Sequence, residues 1–433
     1  MSTSFFQELQ ARGLVQQTTS PDLEKNLNTG RLTLYAGFDP TSDSLHIGSL
    51  LPLLTLRRFQ KAGHSVIAVI GGATGMIGDP SGKAQERSLM TDAQIDANLQ
   101  GIKRVITRFL DLEGPRPAVV TNNSDWFKNL TFVDFLRDIG KHFTVNYMMA
   151  KESVRARLED REHGISFTEF SYMLLQSYDF LHLHKTRGCR LQMGGSDQWG
   201  NITAGVELIR RMRAANGSAA TEEHEVFGMT HPLVTKSDGS KFGKSEQGNV
   251  WLSADKTSPY KLFQFLVQTS DEDVVKFLNY FTFLSLEQIA ALVESSKTSP
   301  EKREAQKTLA QEVVRLVHGE DELKKAEAAS QALFGQEIKT LDAKTLKDVF
   351  SEAPSVEKDK AALSGYTLID ALVDTGLFSS KGAARKEIPA GGIYINNERC
   401  NDPAAILKPE HLIAGSCVVL RKGKRNYALI RFT

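Results

Sequence analysis

Cysteine is scarce in this 433-residue chain: there are three, Cys189, Cys400 and Cys417, far apart and without paired spacing. That excludes a disulfide framework or a zinc knuckle and fits a reducing compartment, the cytoplasm. The ten histidines form no HExxH-type cluster, so no metal-ligating set is read from the sequence. Long apolar runs are also missing. Stretches such as Val66–Ile70 fall far short of the roughly 20 residues a spanning helix needs. The start, Met-Ser-Thr-Ser-Phe-Phe-Gln-Glu, has neither the basic residues nor the apolar core of a secretory signal. No excess of one charge sign marks the whole chain, whose net charge is +1.

Local charge is less even. Residues 381–433 carry ten Lys and Arg against four Asp and Glu, an excess of +6, which leaves the first 380 residues at −5. A basic C-terminal module on a mildly acidic body suits a polyanionic partner. The length suggests two to four domains, at roughly 150 residues each.

Apolar β-type runs alternate with helical patterns in the first half: Leu32–Phe38, Val66–Ile70, Ala118–Thr121 and Arg190–Met193. This is the pattern of βαβ units and a parallel sheet. A helix is predicted from about Ile47, with Ile47, Leu50, Leu51 and Leu54 on one face, Arg57, Arg58 and Lys61 near its end and Gly63 after it. From about 258 to 334 the pattern is purely helical, with Leu309, Val313, Leu316 and Val317 on one face. Residues 335–365 read as a connector of limited core content. Two short helices, a strand at Ile393–Ile395 and a hairpin around Lys422-Gly423-Lys424 follow.

Four motifs carry chemistry. Gly71–Lys83, GGATGMIGDPSGK, is neither GxGxxG nor a Walker loop, and leaves a glycine-rich turn bearing Asp79, Lys83 and Arg87 where open α/β sheets bind ligands. In FTEFSYMLLQSYDFL, the apolar stripe Phe167, Phe170, Leu174, Tyr178 and Leu181 leaves Tyr172, Gln176 and Asp179 aligned at i, i+4, i+7. A phenol, an amide and a carboxylate on one face can bind a small polar solute; a solvated face is the default reading of such a stripe, though Tyr and Gln are unusual choices for plain solubility. LQMGGSDQWGN, Leu191–Asn201, ends a strand in small residues that let a ligand approach the backbone. The loop from Lys236 to Ser245 sets Lys236, Lys241 and Lys244 around two glycines, mobile point charges fit for a polyphosphate.

Two segments occur in order, His46-Ile47-Gly48-Ser49 and Lys241-Phe242-Gly243-Lys244-Ser245, and they resemble the HIGH and KMSKS signatures of class I aminoacyl-tRNA synthetases. With YAGFDPTSDSLHIG, GGATGMIGDPSGK, FTEFSYMLLQSYD and GGSDQWGN, the whole chain resembles the bacterial tyrosyl-tRNA synthetases. Ser49 stands where that signature has its second histidine, Ala36 where many relatives have a cysteine, and 214–224 reads as an extra surface insertion.

The resemblance implies a Rossmann-like α/β catalytic domain over 1–250, an all-α domain over 251–335, a connecting region over 336–365 and a small α+β RNA-binding domain over 366–433. It implies activation of tyrosine by ATP and transfer to tRNA, with Mg2+ expected on the ATP phosphates and no protein-bound metal. It also implies a homodimer, for which the run Phe132–Met149 is the expected interface. Thr41, His46, Lys83, Arg87, Lys241 and Lys244 would serve the phosphates. Tyr35 and Asp179 would hold the substrate phenol, Asp79, Tyr172 and Gln176 its ammonium, with Gln192 and Gln198 nearby. Gly37, Asp39, Gly48, Ser49, Gly195, Asp197, Lys244 and Ser245 would bind ATP. Lys381, Arg385, Lys386, Arg421, Lys422, Lys424 and Arg425 would meet tRNA. Two other readings compete: a tryptophan-specific or nucleotidyltransferase enzyme on the same scaffold, and a non-catalytic RNA-binding descendant, which would have no need of His46 or the loop lysines.

Overall fold

The computed structural model describes residues 4–81, 90–159, 164–215, 217, 225–245, 248–332, 338–339, 341–351, 353–423 and 426–433. The chain divides into two compact units, residues 1–253 with 271–298 and residues 254–270 with 299–433.

The first unit is built on a six-stranded sheet: β1 (Gln17–Thr18), β2 (Thr33–Phe38), β3 (Ser65–Ile70), β4 (Val119–Asn122), β5 (Cys189–Gly195) and β6 (Phe227–His231), in the order β1-β6-β5-β2-β3-β4. All neighbours from β6 to β4 run parallel, and only the edge strand β1 is antiparallel. This is the expected doubly wound α/β fold. The buried runs of β2 and β3 are continuous because helices cover both faces of such a sheet. Chain order reverses across β2, which pairs with β3 on one side and β5 on the other. The carboxyl ends of β2 and β5 therefore diverge into a crevice, where ligands of open sheets bind.

Two helices frame that crevice. The predicted helix at Ile47 begins as a single 3-10 turn, Ile47–Ser49, and continues as an α-helix over Leu50–Lys61, with Leu50, Leu51, Leu53 and Leu54 buried. The long helix Phe167–Arg187 is capped by the Ser166 hydroxyl and closed by Gly188 in the left-handed region, φ +61°. Its apolar stripe holds except at Phe167, which is 70 % exposed: a first-turn position overhangs the core instead of entering it.

The helices Asp271–Phe281 and Leu286–Thr298 were expected among the other helices of 251–335, yet they pack in the sheet unit. Arg58, buried, donates to the carbonyl oxygens of Asn279 and Thr282 and ties the end of Asp271–Phe281 to Leu50–Lys61.

In the second unit, helices Pro259–Val267, Glu304–His318 and Glu320–Ala332 form a helical group, followed by a sheet with β9 (Ser355–Lys358), β10 (Ile393–Ile395), β11 (Glu398–Arg399), β12 (Cys417–Lys422) and β13 (Asn426–Phe432). The little hairpin β7 (Lys244–Ser245) and β8 (Gly248–Asn249) belongs to the first unit. The stretch 336–365 is more than a connector. It contains the helix Ala343–Val349 and strand β9, which pairs in parallel with β13, and it buries Leu346, Phe350 and Leu363. Its polar, alanine-rich composition hid a few apolar anchors spaced to fill one side of a small core.

Candidate active site

A cavity of about 660 Å³ opens at the carboxyl ends of β2 and β5. Of the residues singled out in the sequence, Tyr35, Gly37, Asp39, His46, Gly48, Ser49, Asp79, Tyr172, Gln176, Asp179, Gln192, Gly195, Asp197, Gln198 and Lys241 line it. Thr41 and Lys244 are exposed and are not among its lining residues. Ser245 lies in β7. Lys83 and Arg87 lie outside the described residues, as do Lys424 and Arg425.

One part of the cavity wall is deeply buried. Asp179 is 4 % exposed, and its carboxylate accepts hydrogen bonds from Trp126 Nε1 at 2.8 Å and Asn123 Nδ2 at 3.1 Å. Burial outweighs those two donors and pushes its pKa up to about 7. The buried Tyr35 hydroxyl has no hydrogen-bond partner, and burial together with the nearby Asp179 charge raises its pKa well above the usual value. The helical period brings Asp179 there, while the register Tyr35↔Gln192 brings Tyr35 there from β2. A buried carboxylate and an unpaired phenol make a recess for a group that can donate one hydrogen bond and accept another.

Further along, the Tyr172 hydroxyl donates to Asp39 Oδ2 at 2.9 Å and the Thr74 hydroxyl to Asp39 Oδ1 at 3.0 Å. Gln198 Nε2 donates to Asp79 Oδ2 at 2.5 Å, and Asn201 Nδ2 donates to Gln176 Oε1 at 3.1 Å. Neutral donors thus hold the Asp39 and Asp79 side chains in place.

The His46 and Lys241 segments also reach the cavity. His46 caps the 3-10 turn, its Nδ1 accepting from the Gly48 amide at 3.0 Å. Ile47 donates to Val250 O at 2.9 Å, and Val250 to Gly243 O at 2.8 Å, so the lysine loop and the His46 segment are laced by backbone bonds. Gly243 has φ +94°, and a Cβ there would lie 2.5 Å from Ile47 Cγ2, a contact no side chain tolerates.

Sequence reading missed Thr74, Asn123, Trp126, Asn201 and His231. Asn123 and Trp126 follow directly after β4, and a polar residue just past the carboxyl end of a strand was the available signal. His231, at the end of β6, donates from Nδ1 to Pro232 O at 3.1 Å, and its Nε2 has no partner. Burial lowers its pKa to about 4, so the ring is neutral at ordinary pH.

In the C-terminal sheet module, Arg385 and Lys386 are exposed on the helix Lys381–Glu387, and Lys381 pairs with Asp370 at 2.6 Å. Arg421 lies 3.7 Å over the Tyr394 ring and Lys422 3.9 Å over the Phe378 ring, both half-buried. Guanidinium and ammonium groups laid on aromatic faces are oriented rather than free.

A switch-point cavity lined by a histidine-capped turn and by Lys241 of the lysine loop fits an α/β enzyme that works on a nucleotide. The chain belongs to the class I tRNA synthetases of the tryptophan and tyrosine family, whose model matches residues 27–335. Residues 345–430 match the tyrosine–tRNA ligase SYY-like C-terminal domain. The chain is 54 % identical over 427 residues to the tyrosine–tRNA ligase of Geobacillus kaustophilus, covering 98 % of this chain and 99 % of that one. It is 52 % identical over 432 residues to tyrosine–tRNA ligase 1 of Bacillus subtilis, covering 99 % and 100 %. Among solved structures, the C-terminally truncated mitochondrial tyrosyl-tRNA synthetase of Coccidioides posadasii superposes with a TM-score of 0.67 at 33 % identity, over 75 % of this chain and 91 % of that one.

Proposed function

We infer that the chain is a tyrosine–tRNA ligase: the tyrosine carboxylate attacks the α-phosphorus of ATP, pyrophosphate leaves, and the tyrosyl group passes to the terminal ribose of the tRNA. The observation that carries the tyrosine reading is the buried recess where the unpaired Tyr35 hydroxyl lies near Asp179. A phenol fills it by donating to the carboxylate and accepting from Tyr35. Phenylalanine would leave the buried Tyr35 hydroxyl without a partner, at roughly 1–3 kcal/mol, and would give Asp179 no donor beyond Trp126 and Asn123.

In this reading Asp79, Tyr172 and Gln176 hold the substrate ammonium, Gln192 and Gln198 orient its carboxyl end, and Asp197 takes the ribose. Gly37, Asp39, Gly48, Ser49, Gly195 and Ser245 pack about the adenosine. Neither step needs a covalent intermediate with the protein, so rate comes from alignment and from cations placed where negative charge grows. Thr41, His46, Lys83, Arg87, Lys241 and Lys244 serve the departing pyrophosphate. Mg2+ enters with ATP as part of the substrate, screening its phosphates.

Lys381, Arg385, Lys386, Arg421, Lys422, Lys424 and Arg425 form the tRNA-facing surface, and residues 366–433 act as the RNA-binding module. The exposed apolar side chains Phe132, Val133, Leu136, Val145 and Met149 support a homodimer interface. The free thiols Cys189, Cys400 and Cys417 support a cytoplasmic location. The test is charging of total tRNA with labelled tyrosine or tryptophan. Tyrosine alone should be incorporated. Incorporation of tryptophan would assign the recess to an indole and overturn the reading.

A further inference from the structure

The lysine loop is bolted at one end to a helix that carries no signature of its own. In the helix Asp271–Phe281, residues Asp273, Lys276 and Phe277 fall at i, i+3, i+4 and share one face. All three engage the loop. The buried Asp273 carboxylate accepts from the Ser237 amide at 3.1 Å and the Ser237 hydroxyl at 3.4 Å. It also pairs with Lys276 Nζ at 2.8 Å, and that ammonium donates to Thr235 O at 2.7 Å. The Phe242 ring lies on Phe277, with centroids 4.0 Å apart.

The far end of the same helix is held by Arg58 through the carbonyl oxygens of Asn279 and Thr282. Arg58 lies in Leu50–Lys61, the helix that continues from the His46 turn. Acidic residues at its start and the Arg58 guanidinium at its end match the helix dipole. The helix is therefore a strut between the two segments that bring His46 and Lys241 to the cavity.

We propose that Asp273, with Lys276, is a positioning residue for the activation step: it fixes the 235–242 hairpin so that Lys241 stands at the phosphate end of the cavity. It acts through the loop and touches no substrate. Its loss should therefore slow adenylate formation without weakening tyrosine binding, which the ligase reading gives to Tyr35 and Asp179. The inference rests on the ligase reading above.

The test measures single-turnover adenylate formation and the tyrosine dissociation constant for the full chain with Asp273→Asn, Lys276→Met and Lys276→Arg. Each is made in the native background and with Lys241→Ala. Asp273→Asn and Lys276→Met should slow activation at least fivefold, with tyrosine affinity within twofold of the parent. Lys276→Arg, which keeps a cationic donor, should regain most of the rate. In the Lys241→Ala background the same substitutions should add less than twofold, because the group they position is gone. Should Asp273→Asn fail to fold, the half-exposed Lys276 pair decides alone. Less than fivefold slowing, an equal loss in the Lys241→Ala background, or tyrosine affinity falling with the rate would each overturn the proposal. Absence of tyrosine activation in the parent chain would instead overturn the ligase reading on which it rests.

Discussion

Replacing Asp179 by asparagine should raise stability at alkaline pH while weakening tyrosine binding, and both effects follow from one carboxylate. Its pKa stands near 7 in the folded chain against an ordinary value of 3.8. The folded state thus binds that proton more tightly than the unfolded state does. Stability falls as pH rises from about 4 to about 7, and the full deficit, about 4 kcal/mol, persists above that range. An amide cannot ionise, so the variant escapes this penalty. It does lose something: turned toward Trp126 Nε1 or Asn123 Nδ2, its NH2 group leaves one of those donors unpaired, at roughly 1–3 kcal/mol. The stability of Asp179→Asn relative to the parent should therefore climb by about 3 kcal/mol between pH 5 and pH 8, the growth of the penalty over that interval. Denaturant melts of both proteins across that range, followed by fluorescence, measure it. For binding, loss of a hydrogen bond to a charged acceptor, roughly 1.5–3 kcal/mol, makes tyrosine affinity about ten- to a hundredfold weaker. Phenylalanine affinity should hardly change. A stability difference independent of pH would refute the buried-carboxylate argument, and unchanged tyrosine affinity would refute the assignment of Asp179 to the phenol.

Three more outcomes are expected. His46→Ala should slow adenylate formation by a few kcal/mol of transition-state stabilisation, roughly a hundredfold or more, with tyrosine affinity unmoved; rapid-quench kinetics reads both. Gly243→Ala forces a Cβ against Ile47 at a left-handed backbone position and should slow activation through a displaced loop, visible as a lower pyrophosphate-exchange rate at saturating tyrosine. Arg385→Ala with Lys386→Ala should weaken tRNA binding and flatten its salt dependence by up to about two in the slope of log K against log salt, measured by filter binding from 50 to 200 mM salt, with adenylate formation unchanged.

Much of the fold was legible because parallel strands buried on both faces leave uninterrupted apolar runs, as in Val66–Ile70. Tyr172, Gln176 and Asp179 were legible as a set because helical geometry alone puts them on one face. Their partners were not. The bond from Tyr172 to Asp39 spans 133 residues, and no local pattern encodes it. Asn123 and Trp126, passed over in the sequence, matter because β4 ends beside Asp179. The purely helical pattern read over 258–334 takes in 271–281 but does not say where that helix packs. Its apolar face would suit any core, and only Arg58, Asp273 and Lys276 give it an address. The folding of 336–365 was hidden by composition, since one strand added to a sheet edge requires few apolar residues.

The most direct measurement is ATP–pyrophosphate exchange with each of the twenty amino acids, without tRNA. Exchange that depends on tyrosine alone is the expected result and would establish both activation and the recess at Tyr35 and Asp179. Exchange with tryptophan in place of tyrosine, or with no amino acid at all, would contradict the account.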